Sequence, residues 1–264
     1  GQVTRGVALL CDSVRGRAAF AAAGVTQPAI AYALIAAAAN VAGAAAVTSR
    51  QRWSLPALET LIALSAGFMV SVAVLDLIPE SLEQHGRSGA LIILLGYLLV
   101  HLTQHTFAKH FHFGEEVHKV TKVVSSSALV GLMLHTFVDG VAIASSFQAS
   151  NSLGILVFVA ILLHKFPEGL AISSLFLAAG STRQRALAAG SALGLATIVG
   201  AIVTGYVETL ASYGLALAAG VALYVGASNL VPEFQRATGW RLPVSFFLGC
   251  ALYYFARRAV GLSM

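Results

Sequence analysis

Eight apolar stretches, near residues 28–48, 57–79, 88–108, 123–147, 152–178, 184–207, 212–232 and 243–260, succeed one another with short punctuation between them. Each reaches about 20 residues, the length at which an α-helix crosses a hydrocarbon core of roughly 30 Å. The stretches are unbroken rather than alternating, which argues against a transmembrane β-barrel. With 58% hydrophobic and 10% charged residues, the chain is far from the quarter charged that is usual in soluble domains. The expected fold class is therefore all-α, a polytopic membrane helix bundle of about eight transmembrane helices surrounded by membrane lipid. A net charge of +5 does not point to nucleic acid, because the basic residues sit in short connections between the helices.

Residues 1–27 form a separate N-terminal segment, in which Arg5, Arg15 and Arg17 flank weakly apolar runs. An interfacial helix, an extra span and a targeting remnant all fit that pattern. Residues 28–264 are read as the transmembrane domain. Cys11 and Cys250 form no CxxC pair and are read as small apolar side chains.

Loops after the odd-numbered spans carry Arg50, Arg52, Lys109, Lys119, Lys122, Arg183, Arg185, Arg236 and Arg241. The opposite side carries Arg87, Arg257 and Arg258, together with the N-terminal arginines. The positive-inside rule thus puts the odd loops in the cytoplasm and both termini of the eight-span core outside. A bacterial inner (plasma) membrane is the expected location.

Two echoes run through the chain. The run from Ala66-Gly67 to Pro79-Glu80 in span 2 resembles that from Ala219-Gly220 to Pro232-Glu233 in span 7, at a constant offset of 153. Similar helices crossing in opposite directions are the mark of an inverted repeat, here spans 1–3 against 6–8 around a central pair, a 3+2+3 arrangement.

The second echo lies in that central pair. His135-Thr-Phe-Val-Asp139-Gly140 in span 4 is nearly repeated 29 residues later as His164-Lys-Phe-Pro-Glu168-Gly169 in span 5. Each copy sets a histidine and a carboxylate four positions apart, on one helix face. Ionisable groups are costly at such depth and mark functional sites. Antiparallel packing of spans 4 and 5 brings His135 level with Glu168, and Asp139 level with His164. Two imidazoles and two carboxylates suit Zn²⁺, and equally Mn²⁺, Fe²⁺, Co²⁺, Ni²⁺ or Cd²⁺. Without thiolates, an exchangeable site is expected rather than a structural one. Pro167 inside span 5 frees the carbonyl of Leu163.

These phrases resemble the signature motifs of spans 4 and 5 in the ZIP (Zrt/Irt-like) divalent metal transporters, in their prokaryotic form. The Leu-x-Pro-Glu ends of spans 2 and 7 and a histidine-bearing loop after span 3 fit the same resemblance. It implies import of a divalent metal toward the cytoplasm by movement of one helix bundle against another, commonly in a homodimer. It also implies that the protein is not an enzyme.

The chain departs from relatives that hold two metals. They carry Asn and an acid where Thr136 and Lys165 stand, and an acid on span 6 about where Thr197 stands. One metal at His135, Asp139, His164 and Glu168 is therefore expected, with the Lys165 ammonium in place of the second cation. Without metal, Asp139, Glu168 and Lys165 sum to −1; with a divalent ion the sum is +1. A fixed Lys165–Glu168 pair at i, i+3 is the alternative role for this lysine.

Further polar residues are candidates for the transport path. Asp76 and Asn229 occupy matching places, each three residues before a proline. His101 and His105, on the last turns of span 3, stand where metal leaving the centre can be received. The loop 109–122, with His110, His112, Glu115, Glu116 and His118, suits weak cytoplasmic metal capture. A membrane zinc hydrolase, using Ser145 or Ser146, is the rival reading. A retinal protein with Lys165 as its Schiff base is a more distant one.

Overall fold

The computed structural model describes residues 27–49, 55–107, 122–231 and 239–262. Among these residues every regular element is helical: α1 (Gln27–Thr48), α2 (Leu55–Val72), α3 (Ile78–Phe107), α4 (Lys122–Ala149), α5 (Asn151–Ala178), α6 (Arg183–Thr204), α7 (Glu208–Tyr224) and α8 (Arg241–Ala259). The N-terminal segment to residue 26 lies outside the described residues. So do the histidine-bearing connection at 108–121 and Pro232 with Glu233.

Among the described residues, six helical stretches are long and apolar enough to cross a membrane. One of them, Pro56–Thr103, has 48 residues and joins the expected spans 2 and 3. Its continuity is broken at Gly86, whose φ of 52° and ψ of −126° are not helical. Positive φ is a conformation that glycine adopts without steric cost. The backbone folds back there, for a Cβ on Gly89 would stand 2.5 Å from the carbonyl oxygen of Ser81. The expected last span corresponds to α8, which is helical but not among the six.

Between α2 and α3 runs a π-helical turn, Ala73–Leu77, and α7 continues into another, Val225–Leu230. They lie at the 153-residue offset of the sequence echo, to within one residue. A π turn inserts one residue into the helical ladder and re-aims the side chains beyond it. Asp76 and Asn229 fall inside these turns.

Helix packing follows the same offsets. A Cβ on Gly67 would lie 2.0 Å from Phe246 O, and one on Gly249 would lie 2.0 Å from Leu64 O, so α2 and α8 touch backbone to backbone. At the matching positions, Gly220 and Gly96 make the same approaches between α7 and α3, to Ile93 O and Leu217 O. Around the centre, a Cβ on Gly169 of α5 would collide with Asn40 O of α1, as one on Gly140 of α4 would with Thr197 O of α6. Small residues allow such approaches in membrane helices, where dispersion contacts rather than a hydrophobic driving force hold helices together. As a result α1, α4, α5 and α6 pack as one group, while α2 packs on α8 and α3 on α7. The groups meet where α4 touches α7 and α5 touches α2.

Candidate metal centre

The turn between α4 and α5 is a single residue, Ser150, whose backbone is extended and whose hydroxyl accepts a hydrogen bond from the N–H of Leu153 at 3.1 Å. This N-cap satisfies one of the open donors at the start of α5. A one-residue turn forces the two helices to run antiparallel in contact, so the two copies of the histidine phrase meet at a set height. Gly140 and Gly169 then allow α6 and α1 to close against them from outside.

The four expected residues come together. His135, Asp139, His164 and Glu168 each offer a ligand atom, and these atoms all lie within 4.8 Å of one another. All four are buried. Both imidazole Nε2 atoms turn toward a single oxygen, Asp139 Oδ2, at 3.4 Å for His135 and 3.3 Å for His164. Their rings face each other with centroids 5.7 Å apart.

His164 Nδ1 lies 3.0 Å from Ala160 O. A carbonyl only accepts, so Nδ1 carries the hydrogen and donates it. In the neutral ring this leaves the Nε2 lone pair facing the cluster, the arrangement usual in metal-binding histidines. A lone pair and a carboxylate oxygen in apposition favour a cation between them. Glu168 Oε1 is buried and makes no hydrogen bond within the described protein, so its lone pairs are available as well. Two nitrogens and two carboxylates converging in this way fit a divalent ion of the zinc type.

Lys165 is fully buried, and its ammonium stands inside this cluster. Nζ donates to Glu168 Oε2 at 2.9 Å, the i, i+3 pair that is one of the two roles expected for it, and also to Asp139 Oδ2 at 2.6 Å. It bridges both carboxylates across two helices.

Thr136 and Thr197 are also buried, but their hydroxyls donate to carbonyls of their own helices, Met133 O at 3.1 Å and Leu193 O at 3.3 Å. Neither adds a charged ligand.

A narrow apolar cavity adjoins the cluster, lined by Met69, Val72 and Leu77 on the α2 side, Ile161 of α5 and Val221 of α7. Asp139 is the charged residue in its lining.

Asp76 and His101 are not among the clustered ligands. Asp76 is buried in its π turn and held by α8: Tyr253 donates its hydroxyl at 2.6 Å and Arg257 its Nε at 3.0 Å. The sequence places Arg257 only in the charge distribution, and neither it nor Tyr253 is expected there as a partner of Asp76. Their i, i+4 spacing, opposite an acid in another apolar helix, was the available signal. His101 is exposed, with its ring 5.7 Å from that of Tyr224 in an edge-on contact. The side chains of His105 and Asn229 lie outside the described residues.

Comparison with known proteins bears on this geometry. The sequence profile described as ZIP Zinc transporter matches residues 108–255, which contain α4, α5 and the whole cluster. A relative from Myxococcus xanthus, Zinc transporter GufA, is 36% identical over 162 residues. The aligned part covers 57% of this chain and 64% of that protein, so the match spans somewhat less than two thirds of the relative's length. With more than half of its residues matched, including both histidine phrases, this chain belongs to the ZIP zinc transporter family.

Proposed function

We propose that the protein moves a divalent metal, Zn²⁺ or a similar first-row ion, across the membrane toward the cytoplasm through one intramembrane site. The observation that carries this reading is the convergence of His135, Asp139, His164 and Glu168 in a buried cluster between two antiparallel helices. Family membership and the zinc transporter from Myxococcus xanthus support it. Mn²⁺, Fe²⁺, Co²⁺, Ni²⁺ and Cd²⁺ share the same ligand preferences and enter the test as competitors.

The site holds a single ion in this reading. Lys165 takes the place of a second cation, and the Thr136 and Thr197 hydroxyls are engaged by their own helices. The layout proposed is eight spans in a 3+2+3 inverted repeat, with Gly86 dividing spans 2 and 3 and α8 forming the last. The equivalent contacts of Gly67 and Gly220, and of Gly140 and Gly169, support that symmetry. Asp76, His101, His105 and Asn229 belong to the path on either side of the centre. The termini of the core face outward from a bacterial inner membrane, and two copies associate as a homodimer in lipid. The protein is a transporter rather than an enzyme. The hydrolase alternative gains no support from the family, and Ser145 donates its hydroxyl to Val141 O of its own helix.

Zinc uptake into proteoliposomes tests the reading. The wild type should accumulate zinc, His164→Ala should not, and a purified variant lacking the loop histidines should bind about one zinc per chain. Absence of wild-type flux would leave a binding protein and remove the transporter.

A further inference from the structure

Lys165 bridges the two carboxylates that a metal also needs, with Nζ 2.6 Å from Asp139 Oδ2 and 2.9 Å from Glu168 Oε2. Both carboxylates and the ammonium are buried. From these contacts we infer that Lys165 is a tethered stand-in for the cargo, which neutralises part of the empty site so that the unloaded carrier can return across the membrane. The inference rests on the transport function proposed above.

The argument is one of charge. With Lys165, the empty site carries −1 and the site loaded with a divalent ion carries +1. The two states have equal magnitude, so neither half of the cycle is favoured by desolvation. Without the lysine, the empty site carries −2 and the loaded site is neutral. The cost of holding a charge in a low-dielectric medium scales with its square, so the doubly charged empty site costs roughly four times the singly charged one. Such a carrier moves readily when loaded and poorly when empty. It would exchange one metal ion for another but perform little net transport.

The geometry supports this role in a second way. The ammonium contacts one oxygen of each carboxylate, while Glu168 Oε1 has no hydrogen bond within the described protein. The histidine Nε2 atoms also turn toward the carboxylate oxygen Asp139 Oδ2. Arriving metal therefore finds open ligand atoms before the lysine has to yield any.

The experiment compares two fluxes in proteoliposomes containing the full chain, with the membrane potential clamped by potassium and valinomycin. Net uptake is radiolabelled zinc entering zinc-free vesicles. Exchange is radiolabelled zinc entering vesicles preloaded with unlabelled zinc. In the wild type, net uptake should keep pace with exchange. In Lys165→Met, exchange should stay within about threefold of wild type while net uptake falls about tenfold or more. Lys165→Arg, which keeps the charge, should retain both fluxes. If Lys165→Met does not reconstitute, Lys165→Thr replaces it, since the duplicated phrase carries threonine at the matching position 136. The inference is overturned if the neutral variant changes both fluxes equally or neither. It is also overturned if wild-type exchange already exceeds net uptake by about tenfold, a comparison that needs no variant. A wild type with neither flux instead refutes the transport function itself.

Discussion

Lys165 Nζ donates to Asp139 Oδ2, the same oxygen toward which His135 and His164 turn their Nε2 atoms. One carboxylate oxygen on α4 thus gathers a cation and two imidazoles, two of these three groups arriving from α5. Within a bilayer, where water cannot solvate either partner, this pairing is what allows three ionised side chains to share one level.

Removing the cation should expose that dependence. Lys165→Met leaves Asp139 and Glu168 as buried carboxylates without their ammonium, and loss of one partner of a buried ion pair costs about 3–5 kcal/mol. Thermal unfolding in detergent without zinc should show a destabilisation of that order. A stability unchanged from wild type would mean that the bridge makes no contribution.

Metal should stabilise the fold by mass action. At a free zinc concentration about 100 times its Kd, the gain is about 2.7 kcal/mol. The unfolding temperature should rise with zinc, fall back on chelation, and fail to rise in His164→Ala. A shift of equal size in His164→Ala would place the responding metal elsewhere, such as on the histidine-bearing loop.

Glycine positions should divide sharply by their surroundings. A Cβ on Gly169 would lie 2.0 Å from Asn40 O, which is backbone and cannot yield without separating α1 from α5. Gly169→Ala should therefore cost about 1–3 kcal/mol or more and weaken zinc binding, because Glu168 is its neighbour. At Gly131 the nearest atom is Thr103 O at 3.9 Å, an ordinary contact. Gly131→Ala should be neutral or stabilise the helix by about 0.5–1 kcal/mol. Equal effects in a chemical or thermal unfolding series would contradict the packing described.

The Asp76 clamp should separate into a weak and a strong partner. Tyr253→Phe removes a neutral donor to the carboxylate while Arg257 stays, a loss of about 1.5 kcal/mol. Arg257→Leu leaves a buried carboxylate without its counter-charge and should cost about 3 kcal/mol or more. Adding Asp76→Asn to Arg257→Leu should recover part of that loss. A double-mutant cycle with no coupling energy would show that the two residues do not interact.

Much of the architecture could be read without coordinates because bilayer physics leaves few options. Runs of about 20 apolar residues must be helical, since every backbone donor and acceptor has to be satisfied within the segment. The duplicated histidine phrase was legible for a similar reason: i, i+4 spacing puts both groups on one face whatever surrounds them. The 153-residue echo was visible too, and it reappears as equivalent glycine contacts and as matched π turns around Asp76 and Asn229.

What the amino-acid order determined by itself was local: helices, their antiparallel succession, and which residue types lie deep in the bundle. What only the tertiary structure decided was which of these residues share an atom. That Lys165 reaches across to Asp139 as well as along its own helix to Glu168 depends on the one-residue turn at Ser150, which sets α4 and α5 side by side. That Asp76 is held by Tyr253 and Arg257 depends on the packing of α2 against α8. Spacing along a helix is set by its pitch, whereas partners between helices are set by how closely and at what height two backbones meet. The second kind of information is spread over residues far apart in the chain, and it becomes definite only once they are packed.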